Sequence, residues 1–393
     1  MAANADANSD QIRKLQSQIQ ALQNDVSQMT SGMASHAGSD SGLAMHGFMD
    51  VGYSNNTAAD PVNHPRGFNV GALSFYLTPQ FGDSVKALVE PNIEVGSDGG
   101  ISLDLERIQI GYTFSDAATL WAGRFHTPYG YWNTAFHHGA QMQTSVVRPR
   151  FLAFEDQGGI LPAHMVGLWS VGKIRTGDGK LTYDLFAGNG PKIVMGGSAG
   201  TQTLGTQDMQ MAGDNNHQAM AGINLGYEFS GAMDGLRFAV HALRGDVADD
   251  SDGTAFAGAN SKNNTDLYTY GGSMVYLEND WELMTELYKF RNNDKSGITG
   301  IHRSSASYLQ IGHAFGSYIP YFRKELAILD QTDNFFNMQE SGQSYKRYVA
   351  GLRYDIDPKA CVKLEAHYSD FAKELNRTAA KYHSYYLQYA VRF

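Results

Sequence analysis

The chain reads as all-β: a 16-stranded antiparallel transmembrane β-barrel preceded by a short α-helical coiled coil. Three observations predict this. After residue 42, about sixteen segments alternate large apolar residues with polar ones, the period-two repeat of a strand with one greasy face. Their connections alternate between brief turns and longer loops, and the strand count is even, as in barrels that cross an outer membrane. Mean hydropathy is −0.35, and no apolar run approaches the ~18 residues of a membrane-spanning helix. A barrel wall that meets lipid only at every second residue has such an average.

Composition narrows the class further. With 393 residues the chain has room for more than one ordinary domain, but all-β barrels run long as single units. Glycine is abundant (43), tyrosine (22) and phenylalanine (20) are enriched, and proline (10) is scarce, which suits a sheet with many turns. Cys361 is the single cysteine, so no disulfide and no Cys-x-x-Cys-His haem attachment is expected. A net charge of −10 argues against nucleic acid as a partner. Met1-Ala-Ala-Asn-Ala-Asp-Ala reads as the start of a mature chain whose signal peptide was removed or replaced.

Residues 1–41 form the first expected unit, a periplasmic coiled-coil helix and linker. Ile12, Leu15, Ile19, Leu22, Val26 and Met29 are spaced 3-4-3-4-3, the a/d rhythm of an oligomerising seam, with Asp10 as the cap. Three heptads are marginal for a free helix in water, but suffice if an attached domain already holds the copies together. Ile and Val at a with Leu and Met at d lean towards two strands. The alternative is a single amphipathic helix lying on the barrel end. Residues 31–41, rich in Gly, Ser and Ala, read as a linker.

Residues 42–393 are the barrel. Strands are expected near 43–54, 66–78, 84–96, 101–114, 118–127, 164–175, 180–189, 217–229, 235–245, 265–277, 281–291, 304–315, 318–329, 345–356, 360–371 and 380–393. Ile108, Ile110, Tyr112 and Phe114 share a face opposite Arg107, Gln109 and Thr113. Tyr348, Ala350, Leu352 and Tyr354 oppose Arg353 and Asp355, and Val362, Leu364 and Ala366 oppose Lys363, Glu365 and His367. Strands two to four are less regular, and their register is not fixed by pattern. Aromatics near strand ends, among them Phe114, Trp121, Tyr227, Phe229, Tyr276, Trp281 and Tyr354, read as interfacial girdles. The last strand puts Tyr385, Leu387, Tyr389, Val391 and Phe393 on one side. Sixteen strands enclose a lumen too wide for side chains alone to fill.

This pattern resembles the porins of Gram-negative outer membranes. The N-terminal heptads and turns such as Tyr354-Asp-Ile-Asp-Pro-Lys359 are similar to the phosphate-selective porin O and P group. The resemblance implies a water-filled channel for passive diffusion of small hydrophilic solutes and ions. It also implies a homotrimer in lipid and lipopolysaccharide, both chain ends in the periplasm, and contact of the coiled coil with the cell wall or with a periplasmic protein. Tyr389, Val391 and Phe393 would be the assembly signal. In such porins a long connection folds inward and narrows the lumen; here 128–163, after the fifth strand, takes that place. Arg124, Arg148 and Arg150 supply positive charge, Glu155 and Asp156 negative charge, and His126, His137 and His138 join them at the expected constriction, with His164 beside it.

Opposed charges across an aqueous gap create a transverse field that sorts solutes, whereas mutual pairing would pin the connection to the wall. Both roles are open from sequence. Elsewhere the lumen-facing set mixes Arg107, Arg237, Arg323, Arg353, Lys363 and Arg392 with Glu282, Glu286, Glu325, Asp355 and Glu365. That is no one-sign ladder, so phosphate selectivity is not expected, and the overall acidity mildly favours cations. No metal or other cofactor is expected: the histidines lack zinc-site spacing, and Asp246, Asp249, Asp250 and Asp252 lack the distal Glu of an EF-hand. No Gly-x-Ser-x-Gly or His-Glu-x-x-His motif points to an enzyme. A reading of another class is a scaffold barrel that sheathes a partner, such as an electron-transfer cytochrome or a surface lipoprotein.

Overall fold

The computed structural model describes residues 45–56, 66–96, 99–137, 139–154, 157–196, 203–208, 219–249, 265–294, 300–337, 339, 341–375 and 377–393. Sixteen strands form the wall: β1 (Met45–Asn56), β2 (Gly67–Leu77), β3 (Val85–Val95), β4 (Ile101–Ser115), β5 (Ala118–His126), β6 (His164–Thr176), β7 (Gly179–Gly188) and β8 (Met220–Phe229) make the first half. The second half is β9 (Leu236–Asp249), β10 (Thr265–Glu278), β11 (Trp281–Asp294), β12 (Ile301–His313), β13 (Tyr318–Ile328), β14 (Tyr345–Asp357), β15 (Ala360–Phe371) and β16 (Ala380–Arg392). Each strand pairs antiparallel with its neighbours, and β16 closes on β1 with Val51 opposite Tyr389 and Phe48 opposite Arg392. At the seam Gly47 and Phe393 exchange backbone hydrogen bonds of 3.0 and 2.9 Å, so the sheet has no free edge.

Alternation decides which face is which. Ile108, Ile110, Tyr112 and Phe114 are exposed while Arg107 and Gln109 between them are buried; Val240, at 61% exposed, alternates with buried Ala239 and His241. The outside is therefore an apolar belt, and the charged residues turn inward. Phe114, Trp281 and Tyr354 are exposed at the end with the short turns, as a girdle requires, and so are Phe315 and Tyr318. Trp121 is a correction. It is fully buried and points inward, because the parity of β5 aims it over the side-chain-free Gly111, where it stacks on Trp169 at 6.5 Å.

Three local differences have physical causes. In β3, Pro91 lacks an N–H for the ladder, and the pairing jumps from Glu90–Arg107 to Pro91–Leu105. The extra residue, Glu106, thus joins Arg107 in the interior, an irregularity that alternation could not register. The connection 189–219, expected to be a plain loop, carries a hairpin of Lys192–Gly196 with Thr203–Asp208. β12 starts at Ile301 rather than 304, and β9 runs on to Asp249. The coiled-coil positions Ile12, Leu15, Ile19, Leu22, Val26 and Met29 lie outside the described residues, as do His138, Glu155, Asp156, Asp250 and Asp252.

The interior departs from an all-aqueous lumen. Trp132, Phe136, Phe151 and Leu152 of the connection after β5 are buried with Tyr288, Phe290 and Tyr308 of the wall in one apolar cluster. The charges of this connection predict a polar constriction, but its aromatics need a dry seat and find one against the wall. The apolar face is outside as expected, but beside β11 and β12 the inside is packed protein.

Candidate functional site

The connection 127–163 crosses the barrel and is held there mainly by β11 to β15. It contains one helical turn, Trp132–Ala135, and a 3-10 turn, Arg150–Leu152. Chain entering the interior carries amides that no ladder satisfies, and the wall supplies their acceptors. On β11, Glu286 accepts four hydrogen bonds: from the amides of Tyr131 (2.9 Å) and Trp132 (2.8 Å), and from the hydroxyls of Tyr288 (2.8 Å) and Tyr308 (2.8 Å). On β13, Glu325 accepts from the Arg150 amide (2.8 Å), Tyr345 (3.1 Å) and Arg323 Nε (2.8 Å). On β15, Glu365 accepts from the amides of Val146 (2.8 Å) and Val147 (3.3 Å), from Tyr321 (2.5 Å), and pairs with His367 (2.5 Å). Glu282 takes the Thr144 hydroxyl at 2.5 Å and the Gln310 amide at 2.6 Å.

Wall cations serve the carbonyls. Arg323 donates to Ser145 Oγ (3.0 Å), Gln310 Oε1 (2.9 Å) and the Val147 carbonyl (3.0 Å). Arg353 donates to the carbonyls of Gln141 (2.8 Å) and Gln143 (3.0 Å) and to Asp355 (2.7 Å), and Lys363 to those of Ala140 and Ser145. Of the wall residues expected to line the lumen, Glu282, Glu286, Arg323, Glu325, Arg353, Lys363 and Glu365 therefore grip the connection itself. Charge-assisted bonds of this kind are worth roughly 1.5–3 kcal/mol each, and buried amides left without them would cost comparable amounts.

At the base of the connection the structure brings together three of the four histidines. His126 and His137 meet Nδ1 to Nδ1 at 2.9 Å, so one donates and the other accepts. His126 and His164 are edge to face at 4.6 Å, and His164 lies 2.9 Å from Glu106. Arg107 bonds Glu90 and approaches His137 at 3.4 Å. Glu90 and Glu106 were missed in the sequence; the signal was Pro91, a bulge marker inside a strand. Among the described residues no group of His, Cys, Asp and Glu is arranged to hold a metal ion.

The remaining expected residues sit as follows. Arg148 lies 4.0 Å over the Phe154 ring and donates to the Leu152 carbonyl (2.8 Å), the Phe136 carbonyl (3.1 Å) and Asn133 Oδ1 (3.0 Å), so it braces the connection from within. Arg150 stacks 4.9 Å over Phe371. Arg124 donates to the Glu106 carbonyl at 3.0 Å and is paired with Ile108, a residue of the outer face. Arg392 is half-buried at the seam. Arg237 and Arg107 of the lumen set line a cavity of about 240 Å³ between the connection and the wall of β4 to β10. Lys173, Lys180, Thr182, Asp184 and Glu228, which the sequence reading did not single out, line it too.

No protein-family model matches the chain, and no curated protein matches it by sequence. Solved structures do. The outer membrane channel DcaP of Acinetobacter baumannii aligns over 92% of this chain and 100% of its own, with TM-score 0.55 and 12% identity. Outer-membrane expressed OmpT of Vibrio cholerae aligns over 91% and 100%, with TM-score 0.53 and 11% identity, and a trimer form of in-vitro folded OmpT over 90% and 99%, with TM-score 0.53 and 11% identity. The fold is that of an outer-membrane β-barrel. At such identities the likeness carries the architecture and no more.

Proposed function

We propose that the chain is a porin-like diffusion channel of the bacterial outer membrane, passing small hydrophilic solutes and ions, with no catalytic role. The observation that carries this reading is the division of the interior. One wall, β11 to β15, is given over to seating the inward connection, and the opposite arc keeps a cavity beside it with Lys173, Lys180, Asp184, Glu228 and Arg237 in its lining. A barrel closed only for stability has no use for that asymmetry. The DcaP likeness supports a channel, and the trimer form of OmpT supports three copies, joined at the heptads of residues 12–29 in the periplasm. The last-strand residues Tyr389, Val391 and Phe393 are proposed as the assembly signal, and the rim of the barrel as the contact with lipopolysaccharide. A sheath around a second polypeptide would need the volume that residues 127–163 occupy, which disfavours that alternative. Purified protein in planar bilayers should give ion-conducting steps, and shortening residues 139–147 should enlarge them. Silence in the bilayer would reject the channel reading, and steps unchanged by the deletion would reject the role of the connection.

A further inference from the structure

With most wall charges of β11 to β15 engaged by the connection, the charged residues that line the cavity lie, among the described residues, mostly between β6 and β9. Strand register fixes their layout. Lys180 on β7 lies opposite Glu228 on β8, Glu228 opposite Arg237 on β9, and Arg237 opposite Val275 on β10. This row joins a base to an acid and then to an apolar shelf of Val275 and Leu277, which line the same cavity. The acid and base are only loosely paired: Arg237 Nη1 stands 3.6 Å from Glu228 Oε1, beyond hydrogen-bond distance, with both side chains about a quarter exposed.

Next to the pair, Gly226 on β8 lets two side chains close over the strand: a Cβ there would lie 2.5 Å from Thr182 Oγ1 and 3.4 Å from Arg237 Nε, so Thr182 and Arg237 already fill that space. Both atoms are buried and meet no hydrogen-bonding partner among the described residues, although Thr182 is only 6% exposed. Gln109 across the cavity is 1% exposed, and neither atom of its amide has a partner there either. Buried polar groups are rarely left unmatched, and Gln109 brings both a donor and an acceptor to the cavity lining. On the far side of Arg237 the Tyr131 ring of the inward connection lies 5.7 Å from the guanidinium and limits the space. At about 240 Å³ the cavity is below the ~300 Å³ typical of drug-sized ligands.

We infer that this cavity is a binding site on the solute path for a small zwitterion with an apolar side chain, the chemistry of a free apolar α-amino acid. Its carboxylate faces the exposed part of the Arg237 guanidinium. Its ammonium faces Glu228, and its side chain lies on Val275 and Leu277. The acid and base stand side by side, as they must for a ligand whose own charges are one carbon apart. A ligand with one charge would leave either Arg237 or Glu228 without its counterpart. The inference rests on the channel reading but goes beyond it in naming a solute class.

The test is isothermal titration of the folded, detergent-solubilised protein with phenylalanine, 3-phenylpropionate and phenethylamine, with conductance in KCl recorded on the same preparation. Phenylalanine should bind at least tenfold more tightly than either single-charge analogue. R237Q should weaken phenylalanine and phenylpropionate about tenfold but spare phenethylamine, and E228Q should weaken phenylalanine and phenethylamine but spare phenylpropionate. Folding of each variant is read from heat-modifiable gel migration, and the ranking of the three ligands on the unaltered protein decides the matter if a charge variant fails to fold. Phenylalanine binding no better than the stronger analogue, or variants that lose all three ligands alike, would overturn the site. Current without binding refutes the site and leaves the channel, whereas binding without current supports the site and refutes the channel.

Discussion

Glu286 is the most connected anchor of the inward connection, and replacing it by glutamine tests how the connection is held. Each carboxylate oxygen takes one backbone amide and one tyrosine hydroxyl: Oε2 from Tyr131 and Tyr288, Oε1 from Trp132 and Tyr308. Glutamine keeps the shape but offers one acceptor atom. Its NH2 group must face either the Tyr131 or the Trp132 amide, and a backbone N–H cannot turn away, whereas the tyrosine hydroxyl can rotate and accept. One charge-assisted bond is therefore lost and one buried donor is left opposite another donor, about 2–4 kcal/mol in sum. The wall is untouched, so the loss falls on docking of residues 130–137. In hydrogen exchange by mass spectrometry, amides of that segment should exchange roughly 30- to 1000-fold faster in E286Q, at tenfold per 1.4 kcal/mol, while β11 and β12 keep their protection. Acceleration below about threefold, or equal acceleration in the strands, would refute the account of a connection held by wall carboxylates.

Further outcomes follow from the same contacts. Gly130 has φ +63°, and a Cβ there would lie 2.0 Å from the Tyr288 hydroxyl and 2.1 Å from Glu286, so G130A should cost at least the roughly 1–2 kcal/mol of the left-handed backbone and accelerate exchange in the same segment. V240R puts a charge on the lipid face and should lower the free energy of folding into vesicles by about 2–4 kcal/mol; a change under 0.5 would argue against lipid at that position. The connection 329–344 buries Phe335 and Phe336 at the loop end, beside Asp333, whose carboxyl burial pushes up from 3.8 to about 6 against hydrogen bonds from Asn292 and the Phe335 amide. A raised carboxyl pKa means that the docked state holds its proton better, so its contribution is full below pH 3.8 and is lost as pH rises through about 6. Asp330 runs the other way: burial opposes it, but bonds from Thr332 and His302 hold it below its usual value, so its contribution is lost only at stronger acid. Exchange at residues 334–337, corrected for intrinsic rates, should thus be slower at pH 5 than at pH 7.5, and D333N should flatten the difference.

The wall was legible because a strand between lipid and a polar interior writes its two faces into alternate letters. β4, β14 and β15 show this most cleanly, since Ile110, Tyr348 and Leu364 could not trade places with Gln109, Arg347 and Glu365. Where one residue breaks the count, as Pro91 does, the pattern goes silent, and Glu106 was lost with it. The inward connection was legible in position and charge but not in use. Nothing in the letters of Glu286 or Arg323 tells whether water or a backbone amide will meet them; that depends on residues about 150 positions away in sequence, brought near by barrel closure. The Glu228–Arg237 pair was invisible for the same reason, because the two residues meet only through the pairing of β8 with β9.

The account depends on a cylinder with hydrocarbon against one set of alternate residues and protein or water against the other. Nitroxide labels placed singly at residues 237–243 of β9, in lipid vesicles, test that directly through collision with oxygen and with a water-soluble nickel chelate. Labels at 238, 240 and 242 should collide freely with oxygen and little with the chelate, while those at 237, 239, 241 and 243 show low oxygen accessibility. A flat profile along the strand, or apolar positions shielded from oxygen, would contradict the barrel reading.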